Sequence, residues 1–230
     1  QNVQVEGEVT PLEIVAETSA YLVVMKPSNV ATMPSGQHQS NTLAHRIAAY
    51  FERRHIPSAV HIVTRLDYGT SGLVTVAKNR HVHHLFSLQL TNQTFERKYR
   101  AIVEGELYVV PPYVIDRPIA RKEGSIIERI VDEKGKKAVT IIEQIKVCRM
   151  KEKTYTIVDV ALRTGRTHQI RVHLASLGFP IVGDTLYGQK EEGAPFMLHC
   201  KEVAFQDPFT TKEVKYTVDF PPSVNEWLQL

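Results

Sequence analysis

The stretch 59-AVHIVTRLDYGTSGLVTVAK-78 decides how this chain is read. Its ends, Ala59 to Val63 and Leu73 to Ala77, are short apolar runs rich in β-branched residues, the composition of strands. Between them, Thr64 to Gly72 is a polar loop carrying Arg65, Asp67, Thr70 and Ser71. Flanking strands hold the ends of such a loop, while Gly69 and Gly72 permit backbone conformations that bring a side chain or ligand close to the main chain. The loop then displays a carboxylate. The alternative is an ordinary surface connection whose Asp and Ser satisfy local amides.

Upstream of this stretch, Leu12 to Glu17 and Tyr21 to Lys26 read as strands around Thr18-Ser19, the second stopped by Pro27, which has no ladder donor. Asn41 is placed to cap a helix from Thr42 to about Arg54, with Leu43, Ala44, Ile47, Ala48 and Phe51 on one face. Downstream, Asn79 is placed to cap a second helix that turns Val82, Leu85, Phe86 and Leu90 inward. His81, His83 and His84 point in different directions on that helix and bring no Asp, Glu or Cys set, so no metal site is expected there. Lys98 to Glu104 reads as a strand with Tyr99, Ala101 and Val103 on one side.

From Ser125 the pattern is β-rich: Ile126 to Val131, Ala138 to Cys148 and Tyr155 to Leu162, the last two forming a long hairpin around a charged turn at Lys151 to Lys153. Thr167 is placed to cap a short helix through Leu177, with Gly178 as its stop. Met197 to Phe205 and Val214 to Phe220 read as strands, and Ser223 with Glu226 has capping-box spacing for a final helix bearing Trp227 and Leu228. The expected class is α+β: one domain over residues 11–230, built on a mostly antiparallel mixed sheet flanked by helices and loops, with residues 1–10 as a tail.

Composition narrows the function classes. At 230 residues, with 43% hydrophobic and 23% charged, the chain is globular and able to bury a substantial core. A net charge of +3 does not by itself announce a nucleic-acid partner, so local clusters must carry that argument. Four stand out: Arg97, Lys98 and Arg100; Arg117, Arg121 and Lys122; Lys134, Lys136 and Lys137; and Lys146, Arg149, Lys151 and Lys153. Each also reads as a solvated face. Cys148 and Cys200 lack metal-type spacing and read as reduced thiols of a cytoplasmic protein. No apolar run approaches membrane-spanning length. The start without Met suggests a piece of a longer protein.

An aspartate near its usual pKa is ionised at neutral pH, which makes Asp67 the leading nucleophile or base. Arg65 is two residues away, and the run TGRTHQIR gathers Arg166, His168 and Arg171 around a helix start, a setting that favours anions. A structural Asp67–Arg166 ion pair is the competing account. Three carboxylate chemistries follow. Glycoside hydrolysis needs a second acid, and the sequence offers none in an equally displayed loop, with Asp184 of Gly183-Asp184 as the fallback. A serine hydrolase needs an activated serine, and Ser71 lies outside any GxSxG pattern. Chemistry on a nucleotide base by a lone Asp needs a stacking aromatic and basic residues for phosphates, which Tyr99 between Lys98 and Arg100 supplies.

With these residues assembled, the chain from Pro11 onward resembles the RluA family of RNA pseudouridine synthases. TRLDYGTSGLVTVAK is similar to the family's HRLDxxTSG motif, KYRAIVEG to its tyrosine segment, and TGRTHQIRVHLASLGFPIVGDTLYG to its third motif. LHCKEVAFQDPFT resembles its C-terminal strand, and VVMKPSNVATMPSG its early KPxGxxxxP motif. The resemblance implies that Asp67 is the essential aspartate, Tyr99 the aromatic stacked on the target uracil, and Arg166 the basic partner of Asp67. Arg65, Thr70, His168 and Arg171 are the implied RNA contacts, Arg65 filling the stack left by the flipped nucleotide. The implied reaction breaks the N1–C1′ bond of uridine, rotates the uracil and bonds C5 to C1′. It needs no metal or redox cofactor. The implied partner is ribosomal or transfer RNA, and the protein is expected to be a monomer in the cytoplasm; many members of the family carry a small N-terminal S4-type RNA-binding domain, so the chain reads as either a compact member or a trimmed one. Thr64 stands where the family has His, and Asn29 and Met33 stand where it has Gly and His.

Overall fold

Val23 and Val24 are wholly buried because β-branched side chains fill both faces of an inner strand. The computed structural model describes Gly7 and residues 10–150, 152–189 and 192–228. Apart from Gly7 and Thr10, the expected tail over residues 1–10 lies outside the described residues, as does Lys151 of the charged turn. Along the chain the strands and helices are β1 (Glu13–Glu17), β2 (Tyr21–Lys26), α1 (Leu43–Arg53), β3 (His61–Ile62), β4 (Ser71–Ala77), α2 (Arg80–Thr91), β5 (Glu96–Glu104), β6 (Tyr113–Asp116), β7 (Ile119–Arg121) and β8 (Arg129–Val131). There follow β9 (Val139–Met150), β10 (Lys153–Leu162), α3 (Gln169–Ser176), β11 (Leu198–Gln206), β12 (Glu213–Thr217) and α4 (Pro222–Leu228). The class is α+β, with mostly antiparallel strands and four helices among the described residues.

Backbone contacts group the chain into two compact units, Gln1–Glu96 with Cys200–Asp219, and Arg97–His199 with Phe220–Leu230. In the first, the strands run β1, β2, β4, β11, β12, and β3 pairs with the far end of β4. β2 lies antiparallel on β4 from Tyr21↔Ala77 to Lys26↔Gly72. Gly72 has φ +124°, and a Cβ there would stand 2.4 Å from the carbonyl oxygen of Cys200, so only glycine lets these backbones meet. The core of this unit is aromatic: Tyr21, Phe86 and Phe95 pack on Phe205 with ring centroids 5.0–5.1 Å away.

In the second unit the strands run β5, β10, β9, β6, and β7 pairs with β8 as a separate ribbon. β9 and β10 are the expected hairpin, in register from Lys153↔Met150 to Leu162↔Thr140 with one irregularity at Asp159/Val160. Tyr155 meets Trp227 of α4 edge to face at 5.2 Å. β6 and β7 were not expected from sequence, being only four and three residues long.

Two helix caps differ from expectation. Thr42, not Asn41, caps α1, in a capping box with His45, because Asn41 has turned to φ +51°. His168, not Thr167, stands at the start of α3 with φ +57° and makes no side-chain cap. The cap of α2 is Asn79 as expected, its Oδ1 accepting from Val82 N at 2.8 Å.

Candidate active site

In the first unit, the loop between β3 and β4 alternates between solvent and interior. Thr64, Leu66 and Thr70 are buried, Asp67 is half-buried, and Arg65 and Tyr68 are exposed. Asp67 opens a turn closed by Thr70 N donating to Asp67 O at 3.0 Å. This turn is stitched to the segment after β2. Thr32 Oγ1 donates to Leu66 O at 2.7 Å and accepts from Leu66 N at 3.2 Å. Val30 N donates to Tyr68 O at 3.2 Å. Asn29, where relatives are expected to carry glycine, sits at φ +59°, a conformation asparagine tolerates.

Lys26 is the strongest electrostatic feature of this unit. It is fully buried, and its Nζ donates to Pro27 O, Val30 O and Tyr68 O at 2.9, 2.6 and 3.2 Å. Burial pushes its pKa down to about 7, the negative charge of Asp67 pulls it up, and the positive charge of Arg46 pushes it down. The ammonium thus ties the segment after β2 to the Asp67 turn. Inspection of the sequence missed this, since a lysine ending a strand before proline reads as solvated.

In the second unit, Tyr99 is 5% exposed on β5, opposite Val160 of β10. Its neighbours do not offer open cations: Lys98 pairs with Glu143 at 3.0 Å, and Arg100 grips Asp159 with two bonds of 2.7 and 2.9 Å. Arg166 is exposed in the turn before α3. Its Nε donates to Lys137 O at 2.9 Å. Gln169, 3% exposed, organises the turn: its Oε1 accepts from Arg166 N and Thr164 Oγ1, and its Nε2 donates to Val139 O and Thr140 Oγ1. Arg166 thereby lines a groove of about 510 Å³ with Arg121, Arg129, Lys134 and Lys136. This is where two of the sequence clusters converge, on the β7–β8 ribbon.

Two expected RNA contacts lie elsewhere. Arg171 is bound bidentately to Asp184 at 2.8 and 2.9 Å, with side-chain exposures of 11% and 0%, and it stacks over Tyr187 and Phe196. Its guanidinium is engaged inside the unit. Thr70 is 2% exposed, and its backbone N–H closes the Asp67 turn. His168 is half-buried, its Nδ1 2.7 Å from Tyr187 OH, which also accepts from Arg129 N. The same Asp184 was the candidate second carboxylate for glycoside hydrolysis. Its ion pair and its bonds from Leu186 N and Tyr187 N leave that role no geometry. Among the described residues no group of three or more His, Cys, Asp or Glu side chains is arranged to hold a metal ion.

The family described as RNA pseudouridylate synthase matches residues 20–176. The chain belongs to that family. An RNA pseudouridine synthase of Bacillus subtilis (strain 168), YjbO, is 37% identical over 224 residues, covering 97% of this chain and 77% of the relative. Ribosomal large subunit pseudouridine synthase D of Zymomonas mobilis is 31% identical, covering 94% of this chain and 71% of the relative. The solved structure of human RNA pseudouridylate synthase domain containing 1 superposes with a TM-score of 0.78 over 97% of this chain and 90% of that one, at 24% identity, a likeness of fold. This synthase, of RluA type, is an isomerase acting on RNA.

Proposed function

We propose that this synthase converts specific uridines of structured RNA, those of large-subunit ribosomal RNA, to pseudouridine in the cytoplasm, with Asp67 as the essential carboxylate. The observation that carries the reading is the Asp67 turn, whose backbone is held by buried Lys26 and Thr32 beside an exposed Arg65. A relative named for the large ribosomal subunit supports the choice of RNA. In the reaction the N1–C1′ bond breaks, the freed uracil turns, and C5 bonds to C1′; the proton leaves C5 and one is taken up at N1. Tyr99 is assigned to stack on the uracil and Arg166 to act as the basic partner of Asp67. Flipping a base out of its stack costs a few kcal/mol, and insertion of Arg65 into the vacancy offsets part of that. Phosphates are assigned to Arg121, Lys134 and Lys136 of the basic groove.

The test is pseudouridine mapping of RNA from cells with and without the gene, complemented by wild type or by Asp67→Asn. One or a few ribosomal sites should vanish without the gene and return with wild type alone, while purified Asp67→Asn binds RNA within a few-fold of wild type. Product made by Asp67→Asn would remove the aspartate from the chemistry. Loss of a transfer-RNA site instead would overturn the ribosomal assignment.

A further inference from the structure

Tyr68 directly follows Asp67. A large aromatic in a polar turn would ordinarily fold its ring onto the core, yet this one is 44% exposed. It is not loose. Its carbonyl accepts from both Lys26 Nζ and Val30 N, so the backbone under the ring is anchored. Across from it stands His38, in a tight turn where Ser35 and His38 exchange both backbone hydrogen bonds, at 3.0 and 2.6 Å. Gln39 braces that turn by donating to Gly36 O at 3.0 Å. The two rings lie face to face, centroids 4.2 Å apart and planes 12° from parallel.

A flat aromatic pair, fixed at both backbones, with its tyrosine exposed and its histidine half-buried next to the Asp67 turn, is a surface prepared for another flat ring. Unpaired nucleobases bind on such surfaces, and the contact tolerates sequence because every base has a π-face. Arg65, on the same loop, is exposed as well. We propose that the His38–Tyr68 stack is a platform for an unpaired base of the RNA strand adjoining the target uridine. The proposal rests on the assignment of Asp67 to catalysis and adds a binding subsite to it. The ligand class is a single-stranded or loop nucleotide, recognised by stacking. The phenol hydroxyl is not required.

The probe is a stem-loop RNA with a loop uridine flanked on either side, in separate molecules, by 2-aminopurine, whose fluorescence falls on stacking. Wild type and Asp67→Asn are expected to quench one of the two flanking positions. Tyr68→Ala should abolish the quench and weaken binding about tenfold. Tyr68→Phe should restore both. His38→Ala, on an exposed turn, is the second variant and should reduce the quench in the same direction. An unchanged quench and affinity in Tyr68→Ala would overturn the platform, as would reduced turnover with binding intact, which would make the pair a brace for the Asp67 turn. If wild type quenches the probe but forms no pseudouridine in any RNA, the functional reading fails and the platform stands.

Discussion

At the scale of single residues, charge is assigned by surroundings. Lys26 and Arg65 are both cations near Asp67, yet one is sealed among three carbonyls and the other faces solvent. Lys26→Met keeps the chain length and removes the donor, leaving the carbonyls of Pro27, Val30 and Tyr68 short of a partner. The expected cost is about 2–4 kcal/mol in urea denaturation, with a fall in kcat as the turn under Asp67 loosens. Arg65→Ala should behave oppositely. Stability should stay within about 0.5 kcal/mol of wild type, while RNA binding weakens and the slope of log affinity against log salt shrinks by about 1. A Lys26→Met protein as stable as wild type would show that the three bonds contribute little. The motif containing Lys26 could be read in the sequence, but its burial could not, because the residues that cover it include Tyr68, 42 positions away.

At the scale of elements, the β3–β4 hairpin and the turn before α3 are local structures held by distant partners. The two strands were predictable because they are apolar runs rich in β-branched residues around a polar loop. The α3 turn was predictable in place, while its organiser was not: Gln169 reaches Val139 and Thr140 on β9, contacts that no spacing announces. The same element explains why Arg171 is internal. Asp184 follows the end of α3 and meets its guanidinium edge on, in a bidentate pair with almost no water access. Asp184→Asn should therefore destabilise the fold by about 3–5 kcal/mol, since it leaves a buried guanidinium without its counter-charge. Thermal denaturation checks this, and the salt dependence of RNA binding by the folded fraction should be unchanged. A shallower salt slope would return Arg171 to the RNA-binding set.

At the scale of the whole molecule, buried histidines make stability depend on acid. His173 is wholly buried, between Thr140 Oγ1 and Arg117 O, each at 2.8 Å, and burial holds its pKa below the usual value. His61 and His83 are lowered in the other unit, first by burial and then by neighbouring positive charge, for His61 that of His83, whose ring centroid is 5.5 Å away. Below about pH 6.5 an unfolded chain takes up protons at these positions that the folded chain refuses. Stability should thus be fully present above that pH and fall as pH drops through it. Urea midpoints measured from pH 8 to pH 5 check the sign, and His173→Gln should flatten part of the decline. A midpoint that rises on acidification would contradict the burial account.

Legible in the residues were the α+β class, the order of the main strands and helices, the loop that displays Asp67, and the family. These follow from local alternation, turn residues and motif spacing, all written within short windows of chain. Which polar groups meet solvent was settled by folding. Arg65 and Arg166 are exposed, whereas Lys26, Arg171 and Thr70 are internal. It also decided that Tyr68 stacks on His38, 30 residues upstream. The reason is physical: desolvation and hydrogen bonding are set by whatever the fold brings within a few ångströms, and those neighbours are remote in sequence.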